Sequence, residues 1–320
     1  MVDLVADIGG TNARFAHSEA DGLSAPISCL CADFPSLEAA IAEYITQHSL
    51  PSPHRMGLAV AGPVSEDRVD LSNNDWSFSK QQIKTQFSLS QLTVINDFTA
   101  QALSVPDAPK DRLICLRAGR PVEKSPIAVL GPGTGLGFSA LIDTDTDMLP
   151  LETEGGQIGL SAQTKQEEAL IAHIRDTLSS DSHSRLVAED VLSGRGLETL
   201  YQHFASPPSL INAAEIVRLA GQSDPHATDA IIQFLNFLGS YIANAILMLG
   251  ARHSVYICGG ITPHLVSFID KSQFIERISQ HDKFSDFISD VPVYLLDDPH
   301  SGVRGAAAAL DNGTLGHRHI

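Results

Sequence analysis

Residues 126–142 read PIAVLGPGTGLGFSALI. An apolar run enters four glycines in seven positions, Gly131 to Gly137, and a second apolar run leaves them. The conformation of that second run decides the fold. A helix there would open a dinucleotide-binding unit, whereas a strand closes a hairpin. The residues that follow the glycines are apolar, and Phe138 and Ile142 among them favour the strand. No acidic residue ends a second strand at the distance a dinucleotide site needs. No Gly-Lys-Ser/Thr comes next either, so the turn is not a Walker A loop. With so few Cβ atoms, the loop around Gly133 and Thr134 suits a phosphate drawn close to backbone N–H groups. A tight hairpin with no ligand fits the same residues.

Two further strands run into glycines. VDLVADIG leads to Asp7-Ile8-Gly9-Gly10-Thr11-Asn12. Gly9 and Gly10 permit a sharp turn, Thr11 and Asn12 add side-chain donors, and Arg14 adds a positive charge. Asp7, at the strand end, has the chemistry to hold Mg²⁺ through water. Taken alone, the segment also fits a plain β-turn with an Asp. The third turn is Gly259-Gly260 after VYIC, where a flat base can lie against bare backbone. Three such turns together are more specific than any one. Two related α/β halves facing across a cleft would place all three at its floor, with VPDAPKDR at 105–112 as the crossing.

The remaining segments alternate strand and helix, the pattern of an α/β chain. SLEAAIAEYITQH (36–48) has helical apolar spacing behind Ser36 as a cap. RMGLAVAG (55–62) and LTVINDF (92–98) have strand length, DFTAQALSV (97–105) starts a helix, and SGVRGAAAALDNG (301–313) is an Ala-rich helix. The long apolar run 230–250 is interrupted by Gln233, Asn236, Ser240 and Asn244. A buried central helix explains it better than a membrane span.

Bulk composition narrows the function classes. The 320 residues carry a formal charge of -17, which repels nucleic acid and anionic membrane alike. Hydrophobic residues make up 43% and charged residues 18%, enough for a buried core. Cys29, Cys31, Cys115 and Cys258 form neither a C-x-x-C pair nor a Cys/His cluster. Structural zinc and a disulfide framework are both disfavoured, as expected of a cytoplasmic protein. The first residues read as a strand and not as a basic leader.

A second set of residues suits a polyol. VINDFTAQA puts Asn96-Asp97 at the end of an apolar strand and the start of a helix. Asp97 is placed there to accept a proton from a substrate hydroxyl, or simply to cap the helix. LETEGGQIGL supplies Glu154, Gly155, Gly156 and Gln157; AEDVLSGRGL supplies Glu189, with Ser193, Gly194 and Gly196 beyond it. Carboxylates and amides in a ring recognise vicinal hydroxyls. Glu189 fits a capping or solvent-facing residue equally well. Asn73-Asn74, ahead of the single Trp76, also read as a turn.

These segments together resemble the bacterial glucokinase family, within the superfamily of actin, hexokinase and the heat-shock ATPases. The resemblance runs over nearly the whole chain through DIGGTNARF, AGPV, LSNNDWSFS, INDFTA, PIAVLGPGTGLG, ETEGGQIGL, VLSGRGL and ICGG. It implies an actin/hexokinase-like (ribonuclease H-like) fold with ATP, Mg²⁺ and glucose in a cleft, a cytoplasmic location and a homodimer. The small domain would be 1–108 completed by 301–320, and the large domain 109–300. It further implies Asp97 as catalytic base, and Asn96, Glu154, Gln157 and Glu189 on sugar hydroxyls. Asp7, Gly9, Gly10, Thr11, Asn12, Gly133 and Thr134 would face the phosphates and metal, and Gly259 and Gly260 the adenosine. One departure concerns the sugar: where that family has His after Glu-Gly-Gly, this chain has Gln157. The alternatives are a kinase for another hexose and a non-catalytic sugar sensor. The zinc-binding cysteines and N-terminal DNA-binding helices of the related repressors are absent from the sequence.

Overall fold

The computed structural model describes residues 2–20, 22–71, 74–178, 185–205, 210–279 and 281–320. Asn73 lies outside them. The chain divides into two compact units. The first holds Met1–Pro109, Ala140–Glu152 and Asp298–Ile320; the second holds Lys110–Ser139 and Thr153–Asp297.

In chain order the first unit contains β1 (Asp3–Ile8), β2 (Asn12–Glu19), β3 (Gly22–Leu23), β4 (Ile27–Leu30), α1 (Leu37–Gln47), β5 (Arg55–Val60), β6 (Arg68–Asp70), β7 (Ser77–Ser79), α2 (Lys80–Gln86), β8 (Gln91–Asn96) and α3 (Asp97–Leu103). Its main sheet runs β3-β2-β1-β5-β8, with β4 also paired to β2. Strands β1 and β2 form an antiparallel hairpin, while β1, β5 and β8 are parallel. Ile8, Val60 and Asn96 share one register, so the three parallel strands end together at one edge.

Central parallel strands are covered on both faces and read as continuous apolar runs. One face of this sheet, with Leu4, Ile8, Met56, Leu58 and Leu92, packs on Leu37, Ile41 and Tyr44 of α1. Ser36 caps that helix by accepting from Ala39 N–H. The other face takes a helix from the far end of the chain. A Cβ on Gly57 would stand 2.4 Å from the Ala306 carbonyl, so the Ser301–Asp311 helix lies directly on β5.

After α3 come β9 (Leu113–Arg117), β10 (Ile127–Pro132), β11 (Leu136–Asp143), β12 (Met148–Glu152), α4 (Lys165–Leu178), α5 (Gly194–Phe204), α6 (Ala213–Gly221), α7 (Pro225–Leu249), β13 (Ser254–Ile257), α8 (Phe274–Ser279), α9 (Ser285–Ile288), β14 (Val293–Leu296) and α10 (Ser301–Asp311). The second sheet includes the order β11-β10-β13-β14-β9. PIAVLGPGTGLGFSALI is the expected hairpin: β10 and β11 are adjacent, and the link is too short for a crossover. Strands β10, β13 and β14 are parallel. The hairpin and two parallel strands of the first sheet, β2-β1-β5-β8, thus recur as β11-β10-β13-β14 in the second.

Helix α7 is the core of the second unit. Asp224 caps its start, Pro225 opens it, and Gly250 ends it in the left-handed region at φ 64°. It is long and apolar enough to cross a membrane, but 72% of its most apolar window is buried in the protein. Three of its polar residues have protein partners. Gln233 donates to Glu167, Asn236 accepts from Gln273 N–H, and Ser240 donates to the Asn236 carbonyl. This is a core helix.

Candidate active site

In the first unit, three loops leave the sheet at the edge shared by Ile8, Val60 and Asn96. The first is the turn after β1, closed by Gly9 N–H donating to the Asn12 carbonyl at 2.9 Å. Beside it Asp7 pairs with Arg14 across the hairpin, Nη1 to Oδ2 at 3.3 Å. Burial pushes the Asp7 carboxyl above the usual aspartate range, and Arg14 opposes that shift. A Cβ on Gly302 would stand 2.5 Å from Asp7 Cγ, so the start of α10 lies against this carboxylate. The second loop begins with Ala61, whose N–H donates to the Ile8 carbonyl at 3.1 Å. The third is the junction of β8 and α3. Asn96 is the helix cap: its Oδ1 accepts from Phe98 N–H at 2.8 Å and its Nδ2 donates to the Gly62 carbonyl at 3.4 Å. Asp97 Oδ1 accepts from the same Phe98 N–H at 2.9 Å.

A cavity of about 820 Å³ opens beside the first turn, with Gly10, Thr11, Phe34 and Asn74 in its wall. Trp76 borders it but is a core residue, 5% exposed, and its Nε1–H donates to the Phe34 carbonyl.

In the second unit the glycine turn, α5 and Glu189 meet. Gly133 N–H donates to the Gly135 carbonyl at 2.8 Å, and the Gly133 carbonyl accepts from Gly194 N–H at 2.9 Å. The N-terminus of α5, capped by Ser193, therefore abuts the turn and adds its positive end there. A Cβ on Gly133 would meet nothing within 4 Å, so that face of the turn is open. Glu189 spans two motifs: Oε2 accepts from Leu136 N–H at 2.8 Å and Oε1 from Gln157 Nε2 at 3.2 Å. Glu154 and Gln157 flank Gly155 and Gly156 in one 3₁₀ turn, and both are exposed. That turn lies directly on β11, because a Cβ on Gly156 would stand 2.3 Å from the Leu136 carbonyl. Gly259 has φ +90°, and a Cβ there would stand 2.5 Å from the Pro132 carbonyl. The β13 and β10 exits are thus in contact at Gly259 and Pro132.

The family model for glucokinase matches residues 4–313. A glucokinase of Chromohalobacter salexigens is 38% identical over 315 residues, covering 97% of this chain and 97% of that protein. A glucokinase of Aromatoleum aromaticum is 39% identical over 322 residues, covering 98% and 96%. The chain belongs to the glucokinase family. A solved glucokinase from an Antarctic psychrotroph superposes with TM-score 0.87 at 36% identity, covering 97% of this chain and 98% of that one. The glucokinase family is one of ATP-dependent hexose kinases, and the fold is the actin/hexokinase-like, ribonuclease H-like α/β class.

With that family in view, the residues singled out in the sequence fall into one set per unit. Asp7, Gly9, Gly10, Thr11, Asn12, Asn96 and Asp97 belong to the first unit; Gly133, Thr134, Glu154, Gln157, Glu189, Gly259 and Gly260 belong to the second. The structure adds three details to the sequence reading. Asn96, and not Asp97, is the cap of α3. Gly133 is not in the left-handed region, so its backbone does not demand glycine. Gln157 bonds a carboxylate of its own unit. Gly302 and its place against Asp7 are missed by sequence reasoning; the only signal is a pair of glycines three apart in an Ala-rich helix. Asp7 also bears on the metal. Among the described residues no group of three or more His, Cys, Asp or Glu side chains converges as a metal site. Asp7, a single and largely buried carboxylate, would supply at most one side-chain oxygen to a Mg²⁺, which usually keeps several of its waters.

Proposed function

We propose that this chain transfers the γ-phosphoryl group of ATP to O6 of glucose, giving glucose 6-phosphate and ADP. The observation that carries the proposal is the placement of Asn96-Asp97 and the Gly9–Asn12 turn at one edge of one sheet, in a member of the glucokinase family. Asp97 takes the O6 proton as the O6–phosphorus bond forms and the bond to ADP breaks. The Phe98 N–H donates to its Oδ1 and so orients the carboxylate at the start of α3. Asn96, Glu154, Gln157 and Glu189 hold the sugar hydroxyls; an amide capped at one oxygen keeps donor capacity, and a carboxylate with lone pairs to spare keeps acceptor capacity. Gly9, Gly10, Thr11, Asn12, Gly133 and Thr134 receive the phosphates on backbone and hydroxyl donors, and Gly259 and Gly260 lie against the adenosine. Asp7 holds Mg²⁺, which when bound offsets phosphate charge.

The protein also belongs, on this reading, in the cytoplasm as a homodimer. Its free cysteines suit a reducing compartment, and edge strand β9 exposes Ile114, a ready surface for a second copy. Light scattering tests the dimer.

A coupled assay with ATP and a panel of hexoses tests the function. Glucose is expected to be phosphorylated, and Asp97→Ala to lower kcat by about 10²–10⁴-fold with an unchanged melting temperature. A variant that keeps over a tenth of wild-type kcat rules Asp97 out as the base. A non-catalytic sensor would show glucose binding and no turnover.

A further inference from the structure

The carbonyl of Val64 accepts hydrogen bonds from two cations, Lys80 Nζ at 2.6 Å and Arg318 Nη1 at 2.9 Å. Both are well covered: Lys80 is 8% exposed and the Arg318 side chain 15%. Arg318 also pairs with Glu152. Two desolvated positive charges on one neutral oxygen are a poor way to stabilise a fold, since an apolar side chain fills the same space without giving up hydration. Burial pushes the Lys80 amine below the usual lysine range; Arg318 adds to that shift, while Asp67 and Glu152 oppose it. The arrangement is better explained by what it fixes.

Val64 lies in the 61–67 loop that follows β5 at the sheet edge. Two residues before it, the Gly62 carbonyl accepts from Asn96 Nδ2. Asn96 and Asp97 share the Phe98 N–H, so a shift of the loop reaches Asp97 through one side chain. Arg318 is itself held by the end of the chain. Ile320 and Leu92 exchange both backbone hydrogen bonds at 3.0 Å, and His319 faces Thr93 in an antiparallel bridge. The last two residues thus run antiparallel to β8 through a single bridge.

We propose that Lys80 and Arg318 are positioning residues for phosphoryl transfer. By fixing the Val64 carbonyl they hold the loop to which Asn96 is bonded, and so set Asp97 against the substrate hydroxyl. This rests on the reading of Asp97 as the base. Misplacing a reacting group by ~1 Å costs roughly 10²-fold in rate, whereas one loosened hydrogen bond from Asn96 to the sugar costs about two- to tenfold in affinity, so a loosened loop lowers kcat more than it weakens glucose binding.

The test uses the full chain with Lys80→Met, Arg318→Met, Arg318→Lys and deletion of Ile320, each assayed well below its own Tm. Both Met variants are expected to lose roughly 10- to 100-fold in kcat, with glucose Kd raised by no more than about tenfold through Asn96 and ATP KM within about twofold of wild type. Arg318→Lys, which keeps a donor for Val64, should recover most of the loss. Deleting Ile320 removes no charged side chain and should lower kcat in the same sense. If Lys80→Met does not fold, the other three decide. Wild-type kcat in Arg318→Met and in the Ile320 deletion overturns the proposal, however far Tm falls. Asp97→Asn is assayed alongside. If it is inactive while the Met variants are normal, only the positioning role fails. If it keeps full kcat, the base assignment falls and the positioning role with it.

Discussion

Glu189 is held from both sides, by Leu136 N–H on one oxygen and the Gln157 amide on the other. Removing the amide in Gln157→Ala takes away one neutral donor, worth about 0.5–1.5 kcal/mol. Sugar KM is expected to rise roughly two- to tenfold with little change in kcat, as steady-state kinetics will show. Gln157→His puts an imidazole against that carboxylate, so its pKa should lie above the ordinary ~6.5. Its charged form is the better partner, so KM should be lowest below that pKa and rise as pH passes through it. A flat KM profile in that variant would mean the side chain has turned away from Glu189. Two glycines, at the β10–β11 turn and at the β13 exit, separate structure from binding in the same way. Gly133 tolerates a Cβ, so Gly133→Val should keep its melting temperature and raise ATP KM. Gly259→Ala forces φ +90° on a residue that avoids it, beside a carbonyl at 2.5 Å, and should lose ~1–3 kcal/mol or more in a denaturant titration. At this scale the motifs were legible, since glycine turns and Asn-Asp at a strand end announce themselves. Their partners were not: Glu189 and Gln157 are 32 residues apart, and nothing local in either motif specifies the bond.

Helices and strands were legible where one periodicity dominated. Ser36 capping α1, the β10–β11 hairpin and the buried run in α7 all follow from local pattern. What pattern hides is the fate of the polar residues inside such elements. Gln233 of α7 meets a fully enclosed ion pair, Glu167 of α4 with Arg277 of α8 at 3.0 Å, whose side chains are 2% and 6% exposed. Glu167 also accepts from the Gln163 and Thr164 N–H groups, which ties down the segment just beyond Gln157. Removing one partner from a buried pair costs about 3–5 kcal/mol, so Arg277→Met should lower Tm by several degrees or more in calorimetry. The pair also sets an acid limb of stability. Burial drives the Glu167 carboxyl up, but the Gln163 N–H, Gln233 and Arg277 together leave it below the usual glutamate range. A depressed native pKa adds stability that is full above the unfolded value near ~4.3 and is lost as pH falls through the native one. Wild type should therefore lose stability more steeply below about pH 4.3 than Arg277→Met, which has already lost much of the shift.

Over the whole chain, the first unit is assembled from three separated segments, and the second from two. The repeated sheet order hides this discontinuity from sequence, because each strand signals its own existence and not its neighbour. The C-terminal segment carries the consequence. Val303 and Leu310 of α10 are buried, as is Leu315 beyond it, and Gly57 and Gly305 let the helix lie against β5 and α3 backbone. Each such side chain contributes about 1.5–3 kcal/mol, so the three together reach roughly 5–9 kcal/mol. That is comparable to the whole stability of a typical domain, about 5–15 kcal/mol. The main-chain bonds of Ile320 to Leu92 and the Arg318 bond to Val64 are lost with them. A chain ending at Asp297 should therefore unfold its first unit at 25 °C. The single Trp76 makes this measurable, since it is buried in that unit and absent from the other. Its emission should shift to the red in the truncated chain. Far-UV dichroism should retain the signal of α4 to α9, whose helices all belong to the second unit. A truncated chain with native, blue-shifted Trp76 emission would show that the first unit stands without its C-terminal helix. Addition of the 298–320 peptide should reverse part of the red shift, because the missing surface is one contiguous helix and tail.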